Sequence, residues 1–285
     1  MIQSFQRAAT AAWFISALIG VAVIAPGHGT AEEKSPPVRC AVVGGLNESD
    51  FWPQLIDRFQ RATGHRAEIV ATGPKHAIAA AFKAGEADLV VMHPTDTMIN
   101  LVADGYAENL QPWARNDFVI VGPAADPARI KGEKDAVVAL GKIIASKSKL
   151  LIHASNGASE LLSDLLAAGE LELDPQTTIN LPGDKHRQML VRATAEKAYT
   201  LVGRIPFRSG KLDTGDLQVM VQGDPRLRRT YLVAVATGKA DDPRLAAARK
   251  LEAFLREPDT QQWLAGFGKG KYDDEPLFFS VKTMR

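Results

Sequence analysis

Residues 38–104 repeat a strand–loop–helix pattern, and that pattern restricts the chain to a sheet with helices packed on it. Residues 38–43 (VRCAVV) form an apolar run that ends in Gly44 and Gly45. Residues 51–63 (FWPQLIDRFQRAT) place Phe51, Leu55, Ile56 and Phe59 at helical spacing, and Gly64 stops them. Residues 66–71 (RAEIVA) alternate as a strand does, and 76–84 (HAIAAAFKA) are helical before Gly85. Residues 88–92 (DLVVM) form an apolar strand, and 98–104 a helix ended by Gly105. Strands joined through helices pair side by side in one direction, so the expectation is α/β, a parallel sheet with helices on its faces.

The pattern continues to the end of the chain. Strands are expected at 118–121 (FVIV), 150–153, 198–202 (AYTLV), 217–221 (LQVMV) and 231–236 (YLVAVA). Helices are expected at 136–146, 158–168, 187–196, 244–256 and 260–267. No internal repeat or low-complexity segment interrupts them. Two α/β halves follow. The strands at 118–121 and 231–236 are where the chain would leave the first lobe and return, giving lobe 1 as 38–121 with 231–285 and lobe 2 as 122–230. Two such crossings make a hinge, and the cleft between lobes is a preferred ligand site.

Ahead of the fold, Arg7 precedes an uncharged apolar run at 11–25, and Gly29, Thr30 and Ala31 put small residues before Glu32. That order predicts a signal peptide, residues 1–31, cleaved near Ala31. The run is shorter than the roughly 20 residues of a membrane span. Cys40 lies too far on for lipid attachment, and residues 32–37 (EEKSPP) read as a polar tail. The expectation is a soluble periplasmic protein that acts as a monomer. A formal net charge of +1 argues against nucleic acid or a membrane surface as partner. A single cysteine forms no internal disulfide, and its apolar neighbours point to core packing. The six histidines are scattered, with no HExxH or CxxC, so neither a metal nor a cofactor is expected. His93 and His153 end apolar strands and read as structural hydrogen-bonding residues. There is no GxSxG, no Walker loop and no Ser/His/Asp set at recognisable spacing. The expectation is therefore a binding module and not an enzyme, with a secreted α/β hydrolase as the rival.

Three strand-to-helix turns carry the candidate ligand groups. Backbone N–H groups point outward at such turns, which makes them natural anion sites. In the first, Gly44 and Gly45 let amides approach a ligand, and Asn47 and Ser49 offer side-chain donors; an ordinary turn with either as N-cap is the alternative. In the second, Thr72 brings a hydroxyl and Lys75 a positive charge; a solvated helix start is the alternative. In the third, Ser155, Asn156, Gly157 and Ser159 make a polar nest, or simply a capped loop.

Several strings, in order along the chain, resemble the tungstate-binding branch of the periplasmic solute-binding proteins of ABC importers. They are FQRATG at 59–64, GEADLVVMH at 85–93, DGY at 104–106, NDFVIVGP at 116–123, AYTL at 198–201, GDPRL at 223–227 and FGKGKY at 267–272. The resemblance implies a type II periplasmic-binding-protein fold, two α/β lobes joined by a two-strand hinge with the ligand cleft between them. It implies capture of a tungstate- or molybdate-like oxyanion and delivery to an ABC transporter permease. It places Arg204 at the family's arginine after Tyr-Thr-Leu, where it would supply a cation from the second lobe; a surface arginine is the other reading. It also exposes differences. The branch has a threonine- and serine-rich first turn where this chain has Val43, Gly44 and Gly45, and an arginine in the third turn where this chain has Ala154. Those losses leave a small organic anion, or a ligand-sensing subunit in place of a transport receptor, as alternatives.

Overall fold

The computed structural model describes residues 36–153, 156–182, 186–210, 212–238, 241–272 and 274–282. The chain divides into two units, Met1–Lys34 and Ser35–Arg285, and the fold below is that of the second. The segment 1–31, read as a signal peptide, lies outside the described residues.

The first elements are β1 (Val38–Val43), α1 (Gly44–Glu48), α2 (Phe51–Thr63), β2 (Ala67–Gly73), α3 (Lys75–Lys83), β3 (Leu89–Met92), α4 (Asp96–Ala103) and β4 (Ala107–Pro123). Next come α5 (Ala136–Ala145), β5 (Leu150–His153), α6 (Asn156–Ala168), β6 (Thr178–Leu181), α7 (His186–Glu196), β7 (Tyr199–Gly203), α8 (Arg204–Arg208) and β8 (Leu217–Val221). The chain closes with β9 (Arg228–Ala236), α9 (Pro243–Arg256) and α10 (Pro258–Leu264).

Among the described residues nine strands form one sheet in the order β2-β1-β3-β9-β4-β7-β5-β6, with β8 also on β4. The parallel expectation holds only in its two wings. There β1 pairs with β2 and β3, and β5 with β6 and β7, all parallel. The centre is antiparallel, because β9 returns against both β3 and β4, and β4 runs against β7 and β8. The fold is thus mixed α/β. β4 is 17 residues long and serves both wings. From Ala107 to Asp117 it pairs with β9, and from Phe118 onward with β7 and β8. The two central strands pass each other where Asn116 faces Arg229 and Asp117 faces Arg228.

Successive residues of β4 enter different cores, as the period of two requires. Phe118 and Ile120 join Leu140, Ile143, Leu165 and Tyr199, while Val119 and Val121 join Met189, Leu190 and Phe207. In the first wing Phe51, Trp52, Phe59, Trp113, Phe254 and Phe278 pack on one face, and Ile78, Phe82, Met98 and Leu101 on the other. Cys40 is buried in the first of these clusters, and burial pushes its thiol pKa well up. Helix starts are capped as their sequences require: Asp135 accepts from the N–H groups of Val137 and Val138, and Asp242 caps α9 ahead of Pro243.

The C-terminal segment is strapped along β4. Arg115 and Phe279 exchange backbone hydrogen bonds of 2.9 and 2.8 Å. Gln261 accepts from the Val281 N–H and donates to the carbonyls of Trp113 and Leu255. Among the described residues no helix is long and apolar enough to cross a membrane.

Candidate functional site

Helices α1, α3 and α6 follow β1, β2 and β5 in the chain, and the first turns of α1 and α6 approach β9. At α1, a Cβ placed on Gly45 would stand 4.0 Å from the Tyr231 hydroxyl. At α6, a Cβ on Gly157 would lie 2.4 Å from Nη2 and 2.8 Å from Cζ of Arg229. The guanidinium therefore rests on the backbone of that turn, which only glycine permits. At α3, Lys75 is half-buried within electrostatic reach of Arg229 and Glu160. Burial and the nearby guanidinium lower its pKa, and Glu160 opposes them.

Arg229 and Tyr231 are two residues apart on β9 and so share one face of the sheet. The Arg229 guanidinium stacks on the Phe118 ring, 4.7 Å from its centroid. No carboxylate among the described residues pairs with it. Burial lowers its pKa, while Tyr231 and Glu160 hold it up. Tyr231 is buried, and its hydroxyl accepts a hydrogen bond of 2.9 Å from Asn116 Nδ2. The hydroxyl proton is then free to point toward the α1 turn above it. Asn116 Oδ1 is buried with no partner among the described residues. His93 stacks on the Tyr231 ring at 4.0 Å, and its Nδ1 lies 2.8 Å from the Thr230 carbonyl, so Nδ1 carries the proton. Burial first, then Arg229 and Lys75, push its pKa well below the ordinary value, against the pull of the Thr230 bond. The ring is neutral, and its reading as a structural histidine fits this placement. What remains is a half-buried place with the Arg229 guanidinium, a tyrosine hydroxyl and the first turns of α1 and α6, and with Lys75 within electrostatic reach. Chemically it is a receptacle for negative charge.

The expected site residues divide. Gly44 and Gly45 are half-buried in α1, a helical turn where a loop was expected. Asn47 is half-buried in α1, and its carbonyl receives the Asp50 N–H at 3.2 Å. Gly157 lies against Arg229, Lys75 is within electrostatic reach of it, and Ser159 follows half-buried on α6. Asn156 opens α6, and Ser155 lies outside the described residues. Thr72 is exposed on β2, opposite Val42. Two of the expected site residues have partners within the protein. Ser49 is buried, and its hydroxyl donates back to the carbonyls of Gly45 and Leu46, closing α1. Arg204 is 1% exposed and directed at Asp117, with Nε 2.8 Å from Oδ1. It also donates to the carbonyls of Glu275 and Pro276. Its charge is matched by a buried carboxylate, and it ties α8 to β4 and to the C-terminal strap.

The residues missed were Arg229 and Tyr231. Their signal is the alternation of β9 carried back beyond residue 231: it puts Arg229 on the face of Tyr231 and Arg228 on the opposite one.

Residues 42–268 match the family described as Bacterial extracellular solute-binding protein. The chain is 28% identical over 242 residues to a tungstate-binding protein, TupA, of Peptoclostridium acidaminophilum, covering 84% of this chain and 83% of that protein. It is 28% identical over 216 residues to a putative ABC transporter anion-binding protein of Haloferax volcanii, covering 73% of this chain and 62% of that protein. Among solved structures, TupA from Desulfovibrio alaskensis G20 superposes with a TM-score of 0.71 at 23% identity, covering 87% of this chain and 100% of that one. The tungstate ABC transporter structure from Geobacter sulfurreducens gives a TM-score of 0.66 at 24% identity, covering 81% and 98%. At those identities the likeness to the solved structures is one of fold.

Proposed function

Because the chain belongs to the bacterial extracellular solute-binding proteins, we propose that it is an exported receptor that captures a small oxyanion and delivers it to an ABC transporter permease. The observation that carries the anion is the approach of the α1 turn to Tyr231 and of the α6 turn to Arg229, with Lys75 of α3 within electrostatic reach of Arg229. Tungstate and molybdate head the candidate ligands, in keeping with what the relatives are named for binding. The working form is periplasmic and monomeric, with residues 1–31 removed. The two wings act as lobes that close on the ligand about the β4–β9 crossing at Asn116 and Arg229.

Calorimetric titration of the exported protein with tungstate, molybdate, sulfate and hydrogen phosphate tests this. The expected result is one-to-one binding of at least one of them at micromolar affinity or better. Failure of all four, together with binding of a neutral solute, would remove the reading.

A further inference from the structure

A guanidinium and an ammonium brought together out of water repel each other, and each makes the other costlier to keep charged. Arg229, seated against the Gly157 backbone, and Lys75, half-buried at the start of α3, are within electrostatic reach of each other. Neither has a hydrogen bond or ion pair among the described residues, and the one carboxylate that acts on both, Glu160, is exposed. A ligand with a single negative charge relieves one of the two cations. A ligand with two relieves both. Arg229 also presents forked donors, and its guanidinium lies over the Phe118 ring and against the Gly157 backbone.

Building on the reading above, we propose that Arg229 is the specificity-determining contact of this site and, with Lys75, makes it select a tetrahedral dianion over a monoanion of the same shape. The residue sits on the strand that crosses between the wings, opposite Asn116, and reaches the first turn of α6 in the second wing. A dianion drawn to it therefore acts on the crossing strands themselves.

Two pairs of probes separate charge from size. Tungstate and perrhenate are tetrahedra of similar size that differ by one charge, and sulfate and perchlorate form a second, smaller pair. Calorimetry on the whole exported protein at pH 7.5 should show at least a hundredfold preference for the dianion of whichever pair binds. Arg229→Gln should weaken the dianion by about ten- to a hundredfold, the usual worth of a charge-assisted contact, and narrow the preference within the pair. Arg229→Lys, which keeps the charge and loses the fork, should recover part of that preference. Melting curves establish that each variant is folded. Equal binding of tungstate and perrhenate by the parent overturns the proposal while leaving anion binding intact. So does an Arg229→Gln variant whose dianion preference matches the parent, even if it melts lower. A parent that binds no oxyanion overturns both this proposal and the function it rests on.

Discussion

The Arg229 guanidinium lies against Gly157 so closely that a methyl group there would be 2.4 Å from Nη2. Gly157→Ala should therefore unseat Arg229 from the α6 turn. Alanine is favoured over glycine within a helix by roughly 0.5–1 kcal/mol, which offsets the crowding, so the unliganded protein should keep its stability within about 1 kcal/mol. Tungstate affinity should fall by about tenfold, read by calorimetry beside a urea unfolding curve. Unchanged affinity would mean that the seat on Gly157 does not matter to the ligand.

Tyr231→Phe removes a hydroxyl that accepts a hydrogen bond from Asn116 Nδ2 and, on our reading, donates one to the anion. A hydrogen bond to a charged group is worth about 1.5–3 kcal/mol, so oxyanion affinity should drop by about ten- to a hundredfold. The aromatic stacking on His93 is retained, which keeps the variant folded. An affinity equal to the parent's would remove Tyr231 from the donor set.

Arg204→Ala should act on stability and not primarily on binding. It takes the Arg204 guanidinium away from Asp117, which is 2% exposed. Breaking a buried pair on one side typically costs about 3–5 kcal/mol, which for a chain of this size lowers the melting temperature by about 6–20 °C. A variant that melts like the parent but has lost its ligand would return Arg204 to the cleft.

The acid side of the stability profile should carry the mark of His93. Its folded pKa lies well below the ordinary histidine value, so between the two the unfolded chain binds the extra proton and the folded chain does not. Stability from this group is complete above about pH 6.5 and is lost as pH falls below it, by at most about 1.4 kcal/mol per unit. Urea midpoints between pH 7.5 and 5 should decline accordingly, and His93→Gln should flatten the decline. Equal slopes in parent and variant would contradict the placement of His93.

Strands were legible where they are largely apolar, as in β1, β5 and β8, whose limits match their runs residue for residue. β6 was missed because its burial is only partial along its length. β4 was cut short for a different reason. Its first part carries Glu108, Gln111, Pro112, Arg115 and Asn116, which looks like loop until pairing with β9 is known. The site followed the same rule. Gly157 and Lys75 could be singled out because strand-to-helix turns announce themselves. Arg229 could not, because it stands beside Arg228 in a run that reads as solvated surface, and only the register of β9 separates the exposed arginine from the half-buried one. Arg204 drew attention by family spacing, but spacing does not reveal that Asp117 lies within hydrogen-bond distance.

Cys40 has a practical consequence. It is the chain's only cysteine, it is 0% exposed, and its thiol is held protonated by burial. Maleimide chemistry at neutral pH will pass it by in the folded protein. Cysteines introduced at the exposed Ile99 of α4 and Val191 of α7 would then be the reactive thiols, one in each wing. A donor and acceptor dye on that pair turns the separation of the wings into an optical signal, measurable one molecule at a time as an oxyanion is added.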